Sequence, residues 1–226
     1  AGVQVDLGVA ADQVRAQLAP YLKHRTTGRP WVVLKLAASL DGRTAAPDGT
    51  SQWLTGVQAR ADAHRLRAES DAVVVGAGTV RADDPSLTVR LTEGRDPLRV
   101  VLGTARRGAR VHPALELAGD LGDVLDHLGS LGVVQALVEG GATVAAAFHR
   151  AGLVDRYVLY LAPKLFGGDD GRPLFAGAGA PTLADVTDGE ITSVTRLGPD
   201  VRIELAPRSC HPGGEPATTG SALERV

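Results

Sequence analysis

The sequence predicts an α/β fold in which a mixed, mostly parallel central sheet is flanked by helices and ends in an antiparallel hairpin. Three observations support this expectation. Apolar runs rich in valine and leucine alternate with segments of helical composition, several runs end in glycine, and a Gly-Pro-Asp turn at residues 198–200 joins the last two extended runs. Strands that alternate with helices are typical of parallel sheets, whereas a short turn is typical of an antiparallel pair.

Residues 1–29 come before the first apolar run. Four apolar residues recur there at near-helical spacing, namely Val9, Val14, Leu18 and Leu22. The basic and turn-prone sequence HRTTGRP follows them. We therefore expect a peripheral helix and a linker over residues 1–29, and a main domain over residues 30–207.

The first half of that domain alternates between strands and helices. WVVLKLA begins at Trp31 and is β-branched and apolar, so it predicts a buried strand that the turn-forming SLDG ends. A helix is predicted over residues 55–69 with Thr55 as a potential N-cap, and a strand over residues 71–76. The sequence GAGTVRADDPS at residues 76–86 is interpreted as a glycine-rich turn, and the following LTVRL as strand-like.

The second half continues the alternation. LRVVLG at residues 98–103 is an apolar strand, Asp120 is expected to cap the helix LGDVLDHLGSLG, and VVQALVEGG predicts another buried strand. A helix over residues 143–151 and the strand DRYVLYLAP come next, and ITSVTRL pairs with VRIELAP in the hairpin. Residues 208–226 lack an apolar period and are predicted to be a flexible tail.

Bulk properties restrict the classes of partner. The chain has 226 residues, a net charge of -2 and 44% hydrophobic residues. No apolar stretch approaches the roughly 20 residues of a membrane span, and no general basic field favours nucleic acid, so we expect neither partner. Cys210 is the only cysteine, which excludes an internal disulfide and a multi-cysteine zinc site within the chain. We expect a cytoplasmic protein without a metal.

A double glycine between a strand and a helix is the first candidate site. Gly140 and Gly141 follow Glu139 in the sequence VEGGATV. Glycines let a ligand approach the backbone closely, and unpaired N–H groups at the start of a helix favour a pyrophosphate. A tight turn would need the same glycines, so both interpretations stay open. Glu139 favours a site, because a carboxylate at the end of a buried strand requires polar partners.

The segment GAGTVRADDP, which begins at Gly76, is the second candidate. Thr79 can donate to a phosphate or a ribose, and Asp83 and Asp84 can accept from hydroxyl groups. A plain loop with an Asp-Pro turn explains the same residues.

Lys35 is the third candidate, because it lies in a strand of otherwise apolar residues. Its ammonium group must pair, emerge at the strand end or meet a ligand, and a structural salt bridge would also account for it. Ser51, Arg67 and Arg90 are scattered polar residues. An arginine can bind phosphate through two parallel hydrogen bonds. These three residues indicate a phosphate site only if the fold brings them together.

Five ordered motifs, taken together, resemble a known family over about residues 25–206. The motifs are GRPWVVLKLAASLDGRTA, SQWLT, LRAESDAVVVGAGTVRADDPSLTVR, LVEGGATVAAAF and LVDRYVLYLAPKLFGG. They resemble the reductase half of the bifunctional riboflavin-biosynthesis deaminase-reductase. The opening segment is similar to the connector that follows the deaminase half, whose zinc motif this sequence does not contain. Residues 104–119 stand where many relatives carry a longer segment.

The resemblance implies a dihydrofolate reductase-like fold, NADPH as cofactor, and reduction of the ribosyl group of 5-amino-6-(5-phosphoribosylamino)uracil to the ribitylamino product. It also implies a homodimer, to which the DRYVLYLAP strand would contribute unless it is buried in the core of one subunit. Carried over motif by motif, the NADPH contacts are Ala37, Trp53, Thr79, Asp83, Gly141, Ala142, Thr143, Val144, Ala145, Ala146 and Ala147. The substrate contacts are Ser51, Arg67, Leu87, Arg90 and Glu139.

Two of these residues carry the implied chemistry. Lys35 would stabilise or protonate a developing charge, and Glu139 would orient hydroxyl groups or the amine. Ser51 with Arg67 and Arg90 would form a cage for the 5'-phosphate. Two other functions stay open, namely an NADPH reductase of the same fold that acts on a pterin or dihydrofolate, and a non-catalytic nucleotide-binding module.

Overall fold

The computed structural model describes residues 2–208. Its α-helices are α1 (Ala11–Gln17), α2 (Ala19–Thr27), α3 (Val57–Ala68), α4 (Ala77–Asp83), α5 (Leu121–Ser130) and α6 (Ala142–Arg150). Its strands are β1 (Trp31–Ser39), β2 (Arg43–Ala45), β3 (Ala72–Gly76), β4 (Leu98–Leu102), β5 (Leu115–Leu117), β6 (Gln135–Val138), β7 (Arg156–Ala162), β8 (Arg172–Pro173), β9 (Gly189–Leu197) and β10 (Asp200–Pro207). None of the helices in this part of the chain is long and apolar enough to cross a membrane.

Eight strands form one sheet in the order β5-β4-β3-β6-β1-β7-β10-β9. From β5 to β7 every neighbouring pair is parallel, whereas β10 runs antiparallel to both β7 and β9. The two short strands β2 and β8 pair separately. The predicted mixed sheet with a terminal antiparallel hairpin is confirmed.

Alternate residues of β1 pack against helices on opposite faces of the sheet. Val32 and Leu34 join a core cluster with Phe148 of α6, and Val33 joins a second cluster with Leu66 of α3. All five side chains are at most 1% exposed. Burying an aliphatic or aromatic side chain of this kind stabilises a fold by roughly 1.5–3 kcal/mol, which explains why the apolar run of β1 is central. The result is a sheet between two helical layers.

The order of the strands reverses between the neighbouring strands β3 and β6. From β3 it passes through α4 to β4 on one side, and from β6 it passes through α6 to β7 on the other. In open α/β sheets, ligands bind outside the carboxyl ends of the strands at such a point. The topology therefore places a crevice where the VEGG and GAGT motifs follow their strands.

Two local predictions are wrong. The segment interpreted as a glycine-rich turn forms helix α4, because Val80 is fully buried in a core cluster beside Leu87. The predicted strand LTVRL is irregular, since Leu87 has a φ of 53° and the backbone N–H groups of Val89 and Arg90 donate to the side chains of Asp96 and His64. These side chains take the place of a neighbouring strand.

Smaller differences lie at element ends. The N-cap of α3 is Gly56 rather than Thr55, and its N–H donates to Asp200 at 2.7 Å. The predicted Asp120 cap is confirmed, because its carboxylate accepts from the N–H of Gly122 at 2.7 Å. Residues 11–27 form two short helices rather than one, with Pro20 in the first turn of the second. The predicted tail lies outside the described residues, apart from Arg208.

Candidate active site

A cleft opens at the carboxyl edge of β1 and β6. The parallel register pairs Leu34 with Val138, so the next residues, Lys35 and Glu139, lie side by side where β6 ends. The residues that line the cleft are Lys35, Leu36, Ala37, Thr44, Glu139, Gly140, Gly141, Ala142 and Leu174. Six of the residues singled out in the sequence therefore converge: Lys35, Ala37, Glu139, Gly140, Gly141 and Ala142.

Three charged side chains, which we call the cleft cluster, form the polar centre of this site. Glu139 accepts from Arg67 through two parallel hydrogen bonds, with Nε to Oε1 at 2.5 Å and Nη2 to Oε2 at 2.9 Å. The Lys35 Nζ lies 3.8 Å from Glu139 Oε2. The Glu139 side chain is only 7% exposed, so the two cations compensate a carboxylate that is almost removed from water.

The cluster shifts the pKa of both groups that could exchange a proton. Burial alone would raise the pKa of Glu139, but the charge and hydrogen bonds of Arg67 and the charge of Lys35 outweigh it, so this pKa is lowered. Burial lowers the pKa of Lys35, which Glu139 opposes and Arg67 reinforces. The cluster thus combines a stable carboxylate with an ammonium group that gives up its proton more readily than an exposed lysine.

The two glycines after Glu139 have different roles. A Cβ on Gly140 would lie 2.5 Å from the Cβ of Val144, and one on Gly76 would lie 2.8 Å from its Cγ2. Gly140 and Gly76 therefore let α6 pack closely on the ends of β6 and β3. Gly141 is open, since its Cβ would meet only Thr79 Oγ1 at 3.6 Å.

The start of α6 presents backbone donors to the cleft. Gly141 is the N-cap and provides no side-chain cap, and its own N–H donates to Thr79 Oγ1 at 3.2 Å. Ala142 and Thr143 follow at the first turn, where N–H groups have no partner within the helix. Free N–H groups, the helix dipole and an open glycine fit the pyrophosphate of a dinucleotide.

The other residues implied to contact NADPH lie in varied settings. Asp83 is exposed at the end of α4, and Trp53 is 65% exposed with the Arg60 guanidinium stacked 4.6 Å from its ring centre. The side chains of Ala145 and Ala146 are buried, with at most 1% exposed. Val144 and Ala147 are half-buried on α6.

In the described part of the chain, the three residues expected to form a phosphate cage are not joined by hydrogen bonds. Arg67 directs most of its donors to Glu139, and its Nη1 donates to the carbonyl of Thr88 at 3.3 Å. Arg90 is exposed, and its Nη1 donates to Ser86 Oγ and Thr88 Oγ1. Within residues 2–208, no hydrogen bond links Ser51 to either arginine. Arg90 is therefore the arginine of this group that is accessible to an anion.

Sequence reasoning missed four residues at the site, namely Leu36, His64, Thr44 and Leu174. His64 precedes Arg67 by one helical turn, is 7% exposed, and accepts from the backbone N–H of Arg90 through Nδ1 at 3.0 Å. Its spacing from Arg67 on α3 was a usable signal. Thr44 and Leu174 reach the cleft from the β2 and β8 segments, and no local pattern indicates that distant pairing.

Comparisons with known proteins agree with this fold. Residues 30–203 match the family described as the RibD C-terminal domain. The riboflavin biosynthesis protein RibD of Mycobacterium tuberculosis is 40% identical over 229 residues, covering 92% of this chain and 64% of that protein. The chain thus spans less than two thirds of the length of this relative.

Two solved structures are similar. A Thermotoga maritima protein described as a diaminohydroxyphosphoribosylaminopyrimidine deaminase/5-amino-6-(5-phosphoribosylamino)uracil reductase has a TM-score of 0.80 and 29% identity, covering 92% of this chain and 65% of that one. A dihydrofolate reductase from Enterococcus faecalis has a TM-score of 0.51 and 12% identity, covering 78% and 96%. The latter likeness shows the fold alone, and it confirms the predicted dihydrofolate reductase-like class. The chain belongs to the family of the RibD C-terminal domain.

Proposed function

We propose that this chain is an NADPH-dependent reductase that converts the ribosyl group of 5-amino-6-(5-phosphoribosylamino)uracil to the ribityl group, a step of riboflavin biosynthesis. The observation that carries the proposal is the cleft cluster, in which Lys35 and the Arg67-bound Glu139 lie next to the uncapped start of α6. The similar protein from Thermotoga maritima is described as a reductase of the same compound.

The residues present fit a nicotinamide dinucleotide. The N–H groups of Ala142 and Thr143 would hold its pyrophosphate, and Thr79 and Ala37 would border it. When bound, the cofactor supplies the hydride that reduces C1' of the open-chain sugar imine. We propose that the cofactor is NADPH and not NADH, a preference that requires a cation near the ribose 2'-phosphate.

Glu139 and Lys35 are proposed to act on the sugar. Because Arg67 fixes both carboxylate oxygens, Glu139 keeps one orientation from which it accepts from a substrate hydroxyl or amine. Lys35 places its ammonium group at the same point, and its lowered pKa makes proton delivery to a nitrogen of the substrate easier. The partly buried setting strengthens both interactions, since it removes competing water.

The substrate phosphate is proposed to bind at Arg90. This guanidinium is exposed, and the segment that carries it accepts a hydrogen bond at the Thr88 carbonyl from Arg67, which also binds Glu139. Arg67 contributes positive charge to the same region while its Nε and Nη2 donate to Glu139 and its Nη1 donates to the Thr88 carbonyl. Ser51 would complete the site only after movement of its loop, because within the described chain it forms no hydrogen bond with either arginine.

The fall in NADPH absorbance, which follows oxidation of the cofactor, tests the proposal. Wild-type protein should oxidise NADPH when the deaminated ribosylaminopyrimidine phosphate is added, and mass spectrometry should show a product heavier by two hydrogens. A rate with dihydrofolate and none with the pyrimidine would establish the alternative reductase instead. Binding of NADPH without turnover of either compound would establish a non-catalytic nucleotide-binding module.

A homodimer is part of the proposal and has its own support. Ile191 and Val194 of β9 are 59% and 64% exposed at the edge of the sheet. The strand DRYVLYLAP instead forms β7 between β1 and β10, so burial within one subunit explains its apolar residues. Light scattering coupled to size-exclusion chromatography should give twice the chain mass, and Val194→Lys should reduce it to one.

A further inference from the structure

The segment that carries Arg90 is held to the body of the domain by two side chains of α3. The backbone N–H of Arg90 donates to Nδ1 of His64 at 3.0 Å, and the carbonyl of Thr88 accepts from Nη1 of Arg67 at 3.3 Å. His64 and Arg67 are three residues apart and therefore lie on one face of the helix. They supply an acceptor and a donor at the spacing that a neighbouring strand would otherwise provide.

The remaining polar contacts of Arg90 stay within its own segment. Its Nη1 donates to Ser86 Oγ and to Thr88 Oγ1, so the guanidinium is fixed relative to the local backbone. Leu87, with a φ of 53°, is buried beneath this turn. Residues 86–90 thus form a compact unit, and the position of the guanidinium depends on how that unit is attached to α3.

His64 performs this attachment as an uncharged group. It is 7% exposed and faces the charges of Arg67, Arg90, Lys35 and Glu139. Burial, followed by the charges of the two arginines, lowers the pKa of His64, and Glu139 compensates only in part. Because Nδ1 accepts a hydrogen bond, the ring proton of the neutral form lies on Nε2.

We propose that His64 is a positioning residue that fixes Arg90, and through it the phosphate-binding site, by accepting the Arg90 backbone N–H at Nδ1. The inference rests on the proposed function, in which Arg90 binds the substrate phosphate. It assigns His64 no contact with the reacting atoms. Loss of the Nδ1 acceptor would leave the partly buried Arg90 N–H without this partner, and of the hydrogen bonds among the described residues only the one from Arg67 to Thr88 would still hold the segment to α3.

A series of three substitutions separates the acceptor from the rest of the ring. His64→Asn keeps an acceptor atom two bonds from Cβ, where Nδ1 lies. His64→Gln moves it one bond further out, and His64→Leu removes it at similar volume. Losing this bond is expected to raise the KM for the phosphorylated substrate about tenfold in the Leu and Gln variants, while His64→Asn stays within about threefold of wild type. The turnover number and the KM for NADPH should change less than about twofold, since neither depends on Arg90.

Binding of inorganic phosphate, measured by calorimetry on the same variants, tests the inference without the reaction. Weaker phosphate binding in the Leu and Gln variants, with recovery in the Asn variant, supports the role of His64. This holds even if wild-type protein is inactive on the pyrimidine, a result that would overturn only the proposed function. An unchanged KM and unchanged phosphate affinity in His64→Leu would overturn it while leaving the reductase assignment intact. Nitrogen NMR of wild-type protein adds a direct check, because a proton on Nδ1 at neutral pH would also overturn it.

Discussion

Two groups of buried charges approach Tyr160, one at its ring and one at its hydroxyl group, and they differ in their surroundings. The cleft cluster of Lys35, Glu139 and Arg67 lies at the carboxyl ends of β1 and β6, with Lys35 Nζ 5.8 Å from the Tyr160 ring centre. The second group consists of Asp62, Arg202 and Glu204, which we call the hairpin cluster. The Tyr160 hydroxyl donates to Asp62 at 2.7 Å.

The hairpin cluster has similar chemistry but a different setting. Arg202 lies 3.3 Å from Asp62 Oδ2 through Nε and 2.6 Å from Glu204 Oε1 through Nη2, and it connects α3 to β10. The residues of this cluster lie within α3 and the antiparallel strand β10, whereas Glu139 follows a parallel strand and is itself followed by two glycines and the start of α6. A buried ion pair therefore does not by itself indicate a site. Access from the cleft and adjacent backbone donors distinguish the cleft cluster.

Replacing the cleft lysine should give the largest effect on catalysis. Lys35→Met is expected to lower kcat by about 100-fold to 10,000-fold, the range of a lost general acid, because Glu139 keeps its Arg67 partner and the site otherwise persists. The affinity for NADPH, measured by fluorescence titration, should remain close to wild type. A variant that turns over at the wild-type rate would remove Lys35 from the mechanism.

Replacing the hairpin arginine should act on stability instead. Arg202→Met removes the cation that Asp62 and Glu204 share but leaves them with Arg65 and Arg156, so we expect the free energy of unfolding to fall by about 1–3 kcal/mol. Urea denaturation gives this quantity, and kcat measured well below the midpoint should stay near wild type. If kcat instead fell as far as in Lys35→Met, the distinction between the two clusters would be wrong.

The paired glycines allow a narrower comparison within the cleft. A methyl group on Gly140 would meet Val144 at 2.5 Å, so Gly140→Ala should cost about 1–3 kcal/mol of stability through overpacking. Gly141→Ala has open space and an ordinary backbone conformation, with φ -70°. It should fold normally but weaken NADPH binding, because its methyl group occupies the approach to the N–H groups of α6. Thermal denaturation and NADPH titration of both variants separate the two roles, and similar NADPH affinity in Gly141→Ala and wild type would argue against the pyrophosphate site.

Sequence reasoning succeeded where one residue's chemistry limits its environment. Lys35 in an apolar strand had to pair, emerge at the strand end or meet a ligand, and Glu139 after a buried strand had to find polar partners. Their pairing with each other and with Arg67 could not be predicted, because it depends on β1 lying next to β6, about a hundred residues later in the chain. Helix α4 was missed because glycine lowers local helix propensity, while burial of Val80 decides the outcome. Leu87 likewise follows tertiary packing and not the strand propensity of its neighbours.

The smallest expected effect concerns pH and the link between α3 and Arg90. The pKa of His64 is lower in the folded protein than in the unfolded chain. The neutral ring therefore contributes fully to stability at a pH above the ordinary histidine pKa, and this contribution is lost as the pH falls through the pKa of the folded protein. Protonation places a hydrogen on Nδ1 and removes the acceptor for the Arg90 N–H. The KM for the substrate should therefore rise as the pH falls through the pKa of His64 in the folded protein, which lies below the ordinary histidine pKa of about 6.5.

The substrate phosphate itself takes up a proton with a pKa of about 6, so the wild-type profile alone does not isolate His64. His64→Asn provides the matched control, because an amide keeps the acceptor and does not titrate. Its KM should rise only as far as the phosphate requires, and the difference between the two profiles belongs to His64. Superimposable profiles, together with equal pH dependence of the unfolding free energy, would show that the histidine does not titrate in this range. That result would contradict the predicted pH dependence only. The hydrogen bond to Arg90 needs only the neutral ring, so the substitution series would still test the positioning role of His64.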